Sequence, residues 1–289
     1  IAVILTEVFE THPLRHHGAA FAPDARRQAA AALSLLNLTT VISGGPGTGK
    51  TSVAVQVLRC YNRLWPDLQP DHIALAAPTG RAAARMQESV QERVEELRDY
   101  LEADRAGEYR EAPRRDLALK EVRGYTVHRL LRYNPETATF RHDRHNRLPH
   151  RVVIVDEVSM LDIHLFSSLL HALRSDTVLI LLGDHNQLPS VEAGAVLGDL
   201  SRTFYINGNR SLSPEMHRRL AGLVSRELDS DIVYDPPHRL RDYMVVLTDS
   251  HRSVGSINRV SKLVNAGDPA AREVIARNAP VDARTRSWP

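Results

Sequence analysis

Residues 39–51 read TTVISGGPGTGKT, and this stretch decides the fold. The run 39–44 is short, rich in β-branched residues and closed by glycine, which predicts a buried strand. Residues 44–51 satisfy the phosphate-binding pattern G-x-x-x-x-G-K-[ST] in full. Glycines in such a loop let backbone N–H groups point at phosphate oxygens, while Lys50 can reach the β- and γ-phosphates and Thr51 can bind Mg²⁺. The predicted nucleotide-binding residues are Gly44, Gly45, Pro46, Gly47, Thr48, Gly49, Lys50 and Thr51.

Helices and further strands alternate on either side of this loop. Asp24 is placed to cap an alanine-rich helix, and a polar stretch with Asn134-Pro135 predicts a hairpin. The alternation predicts an α/β fold, a P-loop NTPase whose mostly parallel sheet carries helices on both faces. The predicted helices are 24–38, 50–64, 79–104, 162–174 and 256–267. The further strands are 72–78, 151–157, 177–184 and 244–248, with the hairpin at 132–150.

Composition narrows the class of protein. Of 289 residues, 43% are hydrophobic and 25% charged, which excludes a disordered tail, a fibre and a disulfide-stapled miniprotein. No stretch approaches the roughly 18 apolar residues that span a bilayer, and no secretory signal opens the chain. The single cysteine, Cys60, is expected in the core and cannot form an internal disulfide, which is typical of a reducing compartment. We therefore expect a cytoplasmic protein, without a membrane partner. A net charge of +2 neither demands nor excludes nucleic acid.

Carboxylates follow the third predicted strand. In VVIVDE, Asp156 and Glu157 come directly after a hydrophobic run. Adjacent carboxylates at a strand end suit two tasks in phosphoryl transfer, so we expect Asp156 to hold Mg²⁺ and Glu157 to polarise the attacking water. Gln187, after the next strand, can sense a γ-phosphate through hydrogen bonds.

Several blocks, in order, give a more specific indication. They are VISGGPGTGKT, LAAPTGRAAARM, TVHRLL, VIVDEVSMLD, LLGDHNQLPSVEAGAVLGDL and LTDSHR. Together they resemble the RecD family of superfamily 1 helicases, which includes exodeoxyribonuclease V alpha subunits and stand-alone relatives. The resemblance implies a RecA-like motor domain that uses ATP and Mg²⁺ to move 5′ to 3′ along single-stranded DNA and to unwind duplex junctions in recombinational repair.

The resemblance also implies residue roles. Gln28 occupies the place of an adenine-reading glutamine, Gln187 that of the γ-phosphate sensor, and Arg252 that of an arginine reaching the γ-phosphate. His251 stands where many relatives have an aromatic residue. Thr79 and Gly80 open a helix whose free N–H groups suit a phosphate. The residues matching the DNA-backbone blocks are Pro78, Thr79, Gly80, Arg81, Thr126 and His128.

The domain expectations follow from the same blocks. We expect the end of an N-terminal region over 1–25 and a first RecA-like domain over 26–202, with a small subdomain inserted at about 105–150. An insertion or linker would follow over 203–242, and 243–289 would start a second RecA-like domain that is largely missing. Four hairpin arginines could equally contact DNA or solvent: Arg132, Arg141, Arg144 and Arg147.

Three alternatives stay open at this point. The chain could belong to a complex with RecB- and RecC-like subunits or to a stand-alone helicase. It could instead be a P-loop ATPase that acts on RNA or protein. It could also be a non-catalytic nucleotide- or DNA-binding fragment, although intact Lys50, Asp156 and Glu157 argue against lost catalysis.

Overall fold

The computed structural model describes residues 1–16, 19–20, 24–103, 114–184, 212–229, 242–248, 268, 270 and 272–274. The helices are α1 (Ala2–Thr6), α2 (Ala25–Leu36), α3 (Lys50–Leu64), α4 (Gly80–Ala103), α5 (Val127–Leu130), α6 (Ile163–Ala172) and α7 (Pro214–Ala221). A π-helical turn spans Glu7–Thr11, and 3₁₀ turns span Pro70–His72, Asp116–Glu121 and Val158–Met160. The strands are β1 (Arg15–His16), β2 (Ala19–Ala20), β3 (Thr39–Gly44), β4 (Ile73–Ala77), β5 (Arg123–Thr126), β6 (Tyr133–Asn134), β7 (Thr139–Phe140), β8 (Val152–Val155), β9 (Val178–Gly183) and β10 (Met244–Leu247).

Six of these strands form one sheet in the order β10-β3-β9-β8-β4-β5. Every neighbouring pair in it is parallel. The strand that precedes the phosphate loop, β3, and the strand that precedes the carboxylates, β8, both pair with β9. The predicted mostly parallel sheet is therefore confirmed, and the carboxyl ends of its strands lie along one edge.

Helices cover both faces of the sheet, as predicted. Successive strand residues point to opposite sides, so Ile42 packs with helices α1 to α4 whereas its neighbour Val41 packs with α5 and α6. Strands β4, β8 and β9 are buried along their whole length, as expected of inner strands covered on both faces. Cys60 lies in this core, where burial raises the pKa of its thiol to about 12.

Asp24 caps α2, as the sequence predicted. Its Oδ1 accepts hydrogen bonds from the backbone N–H groups of Arg26 and Arg27 at 2.9 and 3.1 Å. Helix α3 has the predicted bounds. The hairpin is also confirmed, because β6 and β7 pair antiparallel and Asn134 Oδ1 accepts the Glu136 N–H at 2.9 Å within the turn.

The sequence analysis was wrong about residues 244–247. It assigned them to the start of a second domain, but β10 pairs in parallel with β3 and Met244 to Leu247 lie opposite Val41 to Gly44. These residues are the edge strand of the sheet that carries the phosphate loop. The remainder of the predicted second domain, including helix 256–267, lies almost entirely outside the described residues and stays a prediction.

Residues 212–229 are not a polar surface linker. Helix α7 packs against α2, and four apolar residues of this segment are buried in the main core: Leu212, Leu220, Val224 and Leu228. The sequence analysis missed this because the segment is polar on average and its apolar residues lie on one side only.

The predicted subdomain at about 105–150 is also smaller than expected. Strand β5 pairs with β4 as the edge of the main sheet, and Asp116 is fully buried against α3. The β6–β7 hairpin forms a two-stranded sheet of its own. The amino-terminal region likewise packs into the core, through Leu5, Val8 and Phe9.

A buried ion-pair cluster ties these segments to α3. Arg59 Nε lies 2.8 Å from Asp116 Oδ2, and both side chains are fully buried. Arg63 Nη1 lies 2.7 Å from Asp116 Oδ1, and its Nε lies 3.1 Å from Glu7 Oε1. One carboxylate thus serves two guanidinium groups of the helix that follows the phosphate loop.

No described helix is long and apolar enough to cross a membrane.

Replacing Asp116 by alanine is expected to destabilise the chain strongly. The change leaves Arg59 buried without its carboxylate, which costs about 3–5 kcal/mol of unfolding free energy. Urea denaturation monitored by circular dichroism measures this loss. Asp176→Ala is the control, because Asp176 pairs with an exposed arginine at 3.0 Å and should leave stability almost unchanged. Equal stability of the two variants would contradict the role given to the buried cluster.

Candidate active site

The phosphate loop connects the end of β3 to the start of α3. Thr48 holds the loop closed, since its Oγ1 donates to the Gly45 carbonyl oxygen at 2.9 Å. Gly49 has a φ of 87°, in the left-handed region that favours glycine, and α3 begins there without a side-chain cap. The first N–H groups of a helix have no partner within it, so an uncapped start offers donors to an anion.

Lys50 lies over this loop. Its Nζ donates hydrogen bonds to the carbonyl oxygens of Gly44 and Gly45, the latter at 3.1 Å. The ammonium group is therefore held at the loop by main-chain oxygens. Its charge also acts on Asp156, whose carboxylate it stabilises. The structure thus brings the predicted lysine and the predicted acidic strand end within electrostatic reach of each other.

Asp156 is half-buried at the end of β8. Burial raises the pKa of its carboxyl group above the ordinary 3.8, against the opposing effects of the Glu157 N–H and the Lys50 charge. The Glu157 N–H donates to Asp156 Oδ1 at 2.8 Å. A carboxylate that burial destabilises gains most from a nearby cation.

Glu157 has an unusual backbone. Its φ and ψ are 54° and 39°, the left-handed region in which a residue with a side chain is strained. Such strain concentrates at functional sites, because the surrounding structure must enforce it. Here it turns the chain sharply out of β8 into the 3₁₀ turn at Val158–Met160. The predicted catalytic base therefore sits at a strained strand end.

A magnesium ion fits the donors present. The Thr51 hydroxyl and the Asp156 carboxylate are oxygen ligands of the kind that Mg²⁺ prefers when phosphates supply the rest. Among the described residues, no group of three His, Cys, Asp or Glu side chains could hold a metal ion without such help.

The structure does not place the other predicted nucleotide-binding residues at the phosphate loop. Gln28 is buried on α2, where its Oε1 accepts from the Ser225 N–H at 2.9 Å and its Nε2 donates to Glu10 at 3.3 Å. Neither partner belongs to the phosphate loop, and the adenine-reading role of Gln28 stays a prediction. Gln187 and Arg252 lie outside the described residues, so their roles stay predictions too.

The predicted DNA-contacting segments meet at the same edge of the sheet. Ala77, before the exposed turn at Thr79 to Arg81, lies opposite Thr126 in the β4–β5 register. Pro78 is half-buried at this strand end. Thr79 Oγ1 accepts the Ala82 N–H at 3.2 Å and Thr126 Oγ1 accepts the Arg129 N–H at 3.1 Å, so each threonine caps a helix start.

An aromatic cluster joins this edge to the hairpin. His128 lies with its ring centroid 5.5 Å from that of Tyr133 and 6.0 Å from that of Phe140, and the latter two are 5.1 Å apart. Tyr133 is exposed, and sequence analysis gave it no role. The sequence could have indicated a role for Tyr133 in binding nucleic acid, because it lies among basic residues at a turn and nucleobases stack on exposed aromatic rings.

The hairpin arginines divide into two groups. Arg147 donates to the carbonyl oxygens of His171 and Leu173, the latter at 2.7 Å, at the carboxyl end of α6. We therefore assign it a structural role. The other three are exposed beside the aromatic cluster: Arg132, Arg141 and Arg144.

Comparison with known proteins agrees with this geometry. A family model described as an AAA domain matches residues 27–193, which include the phosphate loop and both carboxylates. The chain belongs to the AAA domain family.

This AAA domain is similar to the protein named RecBCD enzyme subunit RecD in two organisms. In Mycolicibacterium smegmatis the identity is 45%, over 60% of this chain and 29% of the relative. In Haemophilus influenzae it is 32%, over 83% of this chain and 35% of the relative.

A third relative of this AAA domain is named as a helicase. It is the ATP-dependent RecD2 DNA helicase of Deinococcus radiodurans, 35% identical over 54% of this chain and 17% of the relative. The resemblance to the RecD family that the sequence blocks predicted is thereby confirmed. The chain spans roughly a third or less of the length of these curated relatives.

Asp156→Asn is expected to stabilise the protein in the absence of nucleotide and Mg²⁺. Because the folded state holds the Asp156 proton to a higher pH than the unfolded chain, stability falls as pH rises from about 3.8 through the raised pKa. Asparagine does not ionise and avoids this loss. Urea denaturation should therefore show a gain for the variant at pH 7 that shrinks towards pH 4. A gain independent of pH would contradict the burial effect.

Proposed function

We propose that the chain is the motor domain of an ATP-dependent DNA helicase of the RecD type. One observation carries this proposal: the phosphate loop, the paired carboxylates and the segments at Thr79–Arg81 and Thr126–His128 follow strands that end at one edge of a single parallel sheet. Nucleotide hydrolysis at β3 and β8 can therefore act on a strand bound at β4 and β5 through short, rigid connections.

The chemistry of hydrolysis follows from the described side chains. The loop N–H groups and Lys50 bind the β- and γ-phosphates of ATP and neutralise charge that develops on them. Glu157 orients and polarises the attacking water. Mg²⁺, held by Thr51 and Asp156 when bound, supplies further charge neutralisation at the phosphates. Gln187 and Arg252 complete the γ-phosphate contacts in this proposal.

The proposed substrate is single-stranded DNA at duplex junctions, bound through its backbone. The helix start at Thr79 and Gly80 offers N–H donors, Arg81 adds charge, and the Thr126–His128 turn lies beside it.

Movement 5′ to 3′, a role in recombinational repair and a cytoplasmic location rest on the resemblance to RecD proteins. RecB- and RecC-like subunits are the proposed partners, with a stand-alone helicase of RecD2 type as the alternative.

The direct test is the rate of ATP hydrolysis by this chain with and without single-stranded DNA. We expect DNA to raise turnover on the order of tenfold, because the two surfaces share one sheet edge. Lys50→Ala should lower DNA-stimulated turnover roughly 10²- to 10³-fold by removing the charge at the phosphates.

Two controls make this test specific. Glu157→Gln should bind ATP and fail to cleave it, whereas lost binding would show that the carboxylate roles are wrong. Single-stranded RNA of the same sequence should stimulate less than DNA. Equal stimulation by RNA, or wild-type turnover in Lys50→Ala, would contradict the proposed function.

A further inference from the structure

Arg27 reaches from α2 to the back of the phosphate loop. Its side chain is only 3% exposed, and its Nη2 donates to the Thr48 carbonyl oxygen at 3.1 Å. Asp24, which caps the same helix, places Oδ2 3.5 Å from Arg27 Nε. A buried guanidinium group is thus held by one carboxylate and directed at one main-chain carbonyl group of the loop.

The guanidinium group also packs directly against Gly49. A Cβ atom at that position would lie 2.8 Å from Arg27 Nη2 and 3.0 Å from its Cζ, closer than real Cβ atoms approach. The left-handed backbone favours glycine at position 49, and the guanidinium group of Arg27 occupies the space that a side chain there would enter.

The geometry of that peptide links Arg27 to the bound phosphate. A trans peptide is planar, and its C=O and N–H groups point in opposite directions. Because Arg27 donates to the Thr48 carbonyl oxygen, that carbonyl group points towards α2 and the Gly49 N–H points away from it. A charge-assisted hydrogen bond to a carbonyl group also polarises the peptide and strengthens its N–H as a donor.

We propose that Arg27 is a positioning residue for the phosphate loop: it orients the Thr48–Gly49 peptide so that the Gly49 N–H binds the nucleotide phosphates. The inference rests on the proposed nucleotide site and deepens it. Arg27 acts through the peptide and does not itself contact the phosphate. Its effect is therefore on phosphate affinity and on the Gly49 amide in particular.

The neighbouring arginine provides a matched control. Arg26 lies on the same turn of α2, but its guanidinium group pairs with Asp229 at 2.9 Å, away from the loop. Arg26→Met and Arg27→Met remove the same charge from adjacent positions and keep an unbranched side chain in place of the aliphatic part of arginine. Arg27→Lys keeps the charge and loses the planar guanidinium group that contacts Gly49.

The first experiment measures binding of Mg²⁺-tripolyphosphate to the full chain by calorimetry. We expect Arg27→Met to weaken this affinity about tenfold, the effect of losing one hydrogen bond to a charged group. Arg26→Met should stay within about twofold of the wild type, and Arg27→Lys should fall between them. Thermal unfolding of each variant shows whether a loss of affinity merely follows a loss of stability.

A second measurement reads the Gly49 amide itself, which a merely structural role would not move. The sequence contains two Thr-Gly pairs, Thr48–Gly49 and Thr79–Gly80, so labelling threonine carbonyl carbons with ¹³C and glycine nitrogens with ¹⁵N selects only these two amide signals. Tripolyphosphate should shift the Gly49 signal in the wild type and in Arg26→Met, and much less in saturated Arg27→Met. The Gly80 signal serves as an internal control.

The outcomes separate this inference from the proposed function. Wild-type affinity and an unchanged Gly49 shift in Arg27→Met would overturn the role of Arg27 and leave the nucleotide site intact. An equal loss in Arg26→Met would also overturn it, since charge or stability would then explain the effect. If the wild-type chain failed to bind tripolyphosphate, the nucleotide site itself would be wrong. If it bound as expected but DNA did not stimulate hydrolysis, the helicase proposal would fail and the role of Arg27 would stand.

Discussion

The parallel direction of six strands places the chemistry at one edge of the sheet. In parallel strands all carboxyl ends lie on the same side, so the residues that follow β3, β8, β4 and β5 are neighbours although they are far apart in sequence. The order of the strands sets the distances within this edge. Strand β9 lies between the phosphate loop and the carboxylates, and β4 lies between the carboxylates and the β5 turn. The proposed nucleotide and DNA surfaces therefore adjoin without overlapping.

The phosphate loop is braced from several sides. Behind it, Arg27 holds the Thr48 carbonyl group, and beside it the end of β10 approaches so closely that a Cβ on Gly44 would lie 2.9 Å from the Leu247 carbonyl oxygen. The helix that follows the loop is tied to two distant segments, through the buried Asp116 carboxylate and through Glu7. A rigid loop presents its N–H groups to phosphate with little further loss of conformational entropy, which favours binding.

Local patterns in the sequence predicted the elements that form the site. The bounds of α3 and β3 were predicted correctly, because a complete phosphate-loop motif lies between a β-branched run and an amphipathic segment. Asp156 and Glu157 were recognised by their place after a hydrophobic strand. The alternation of strands and helices predicted the six-stranded sheet, except for its two edge strands.

The missed features depend on contacts between distant residues. Strand β5 is short, and the RGYT segment has no apolar alternation, so only its pairing with β4 makes it a strand. Strand β10 was recognised as a strand but given to the wrong domain, because sequence order does not reveal that it returns beside β3. The left-handed backbone of Glu157 and the contact of Arg27 with the loop are likewise set by the surrounding fold.

Photo-crosslinking of single-stranded DNA to the chain tests the shared edge most directly. An oligothymidine with a photoreactive base would be irradiated with the protein, and the crosslinked peptides would be located by mass spectrometry. The account predicts crosslinks within residues 78–85 and 126–141, along the carboxyl ends of β4 and β5 and the hairpin. Crosslinks confined to the opposite edge of the sheet, where Arg151 stacks on Trp65 at 4.3 Å, would contradict it.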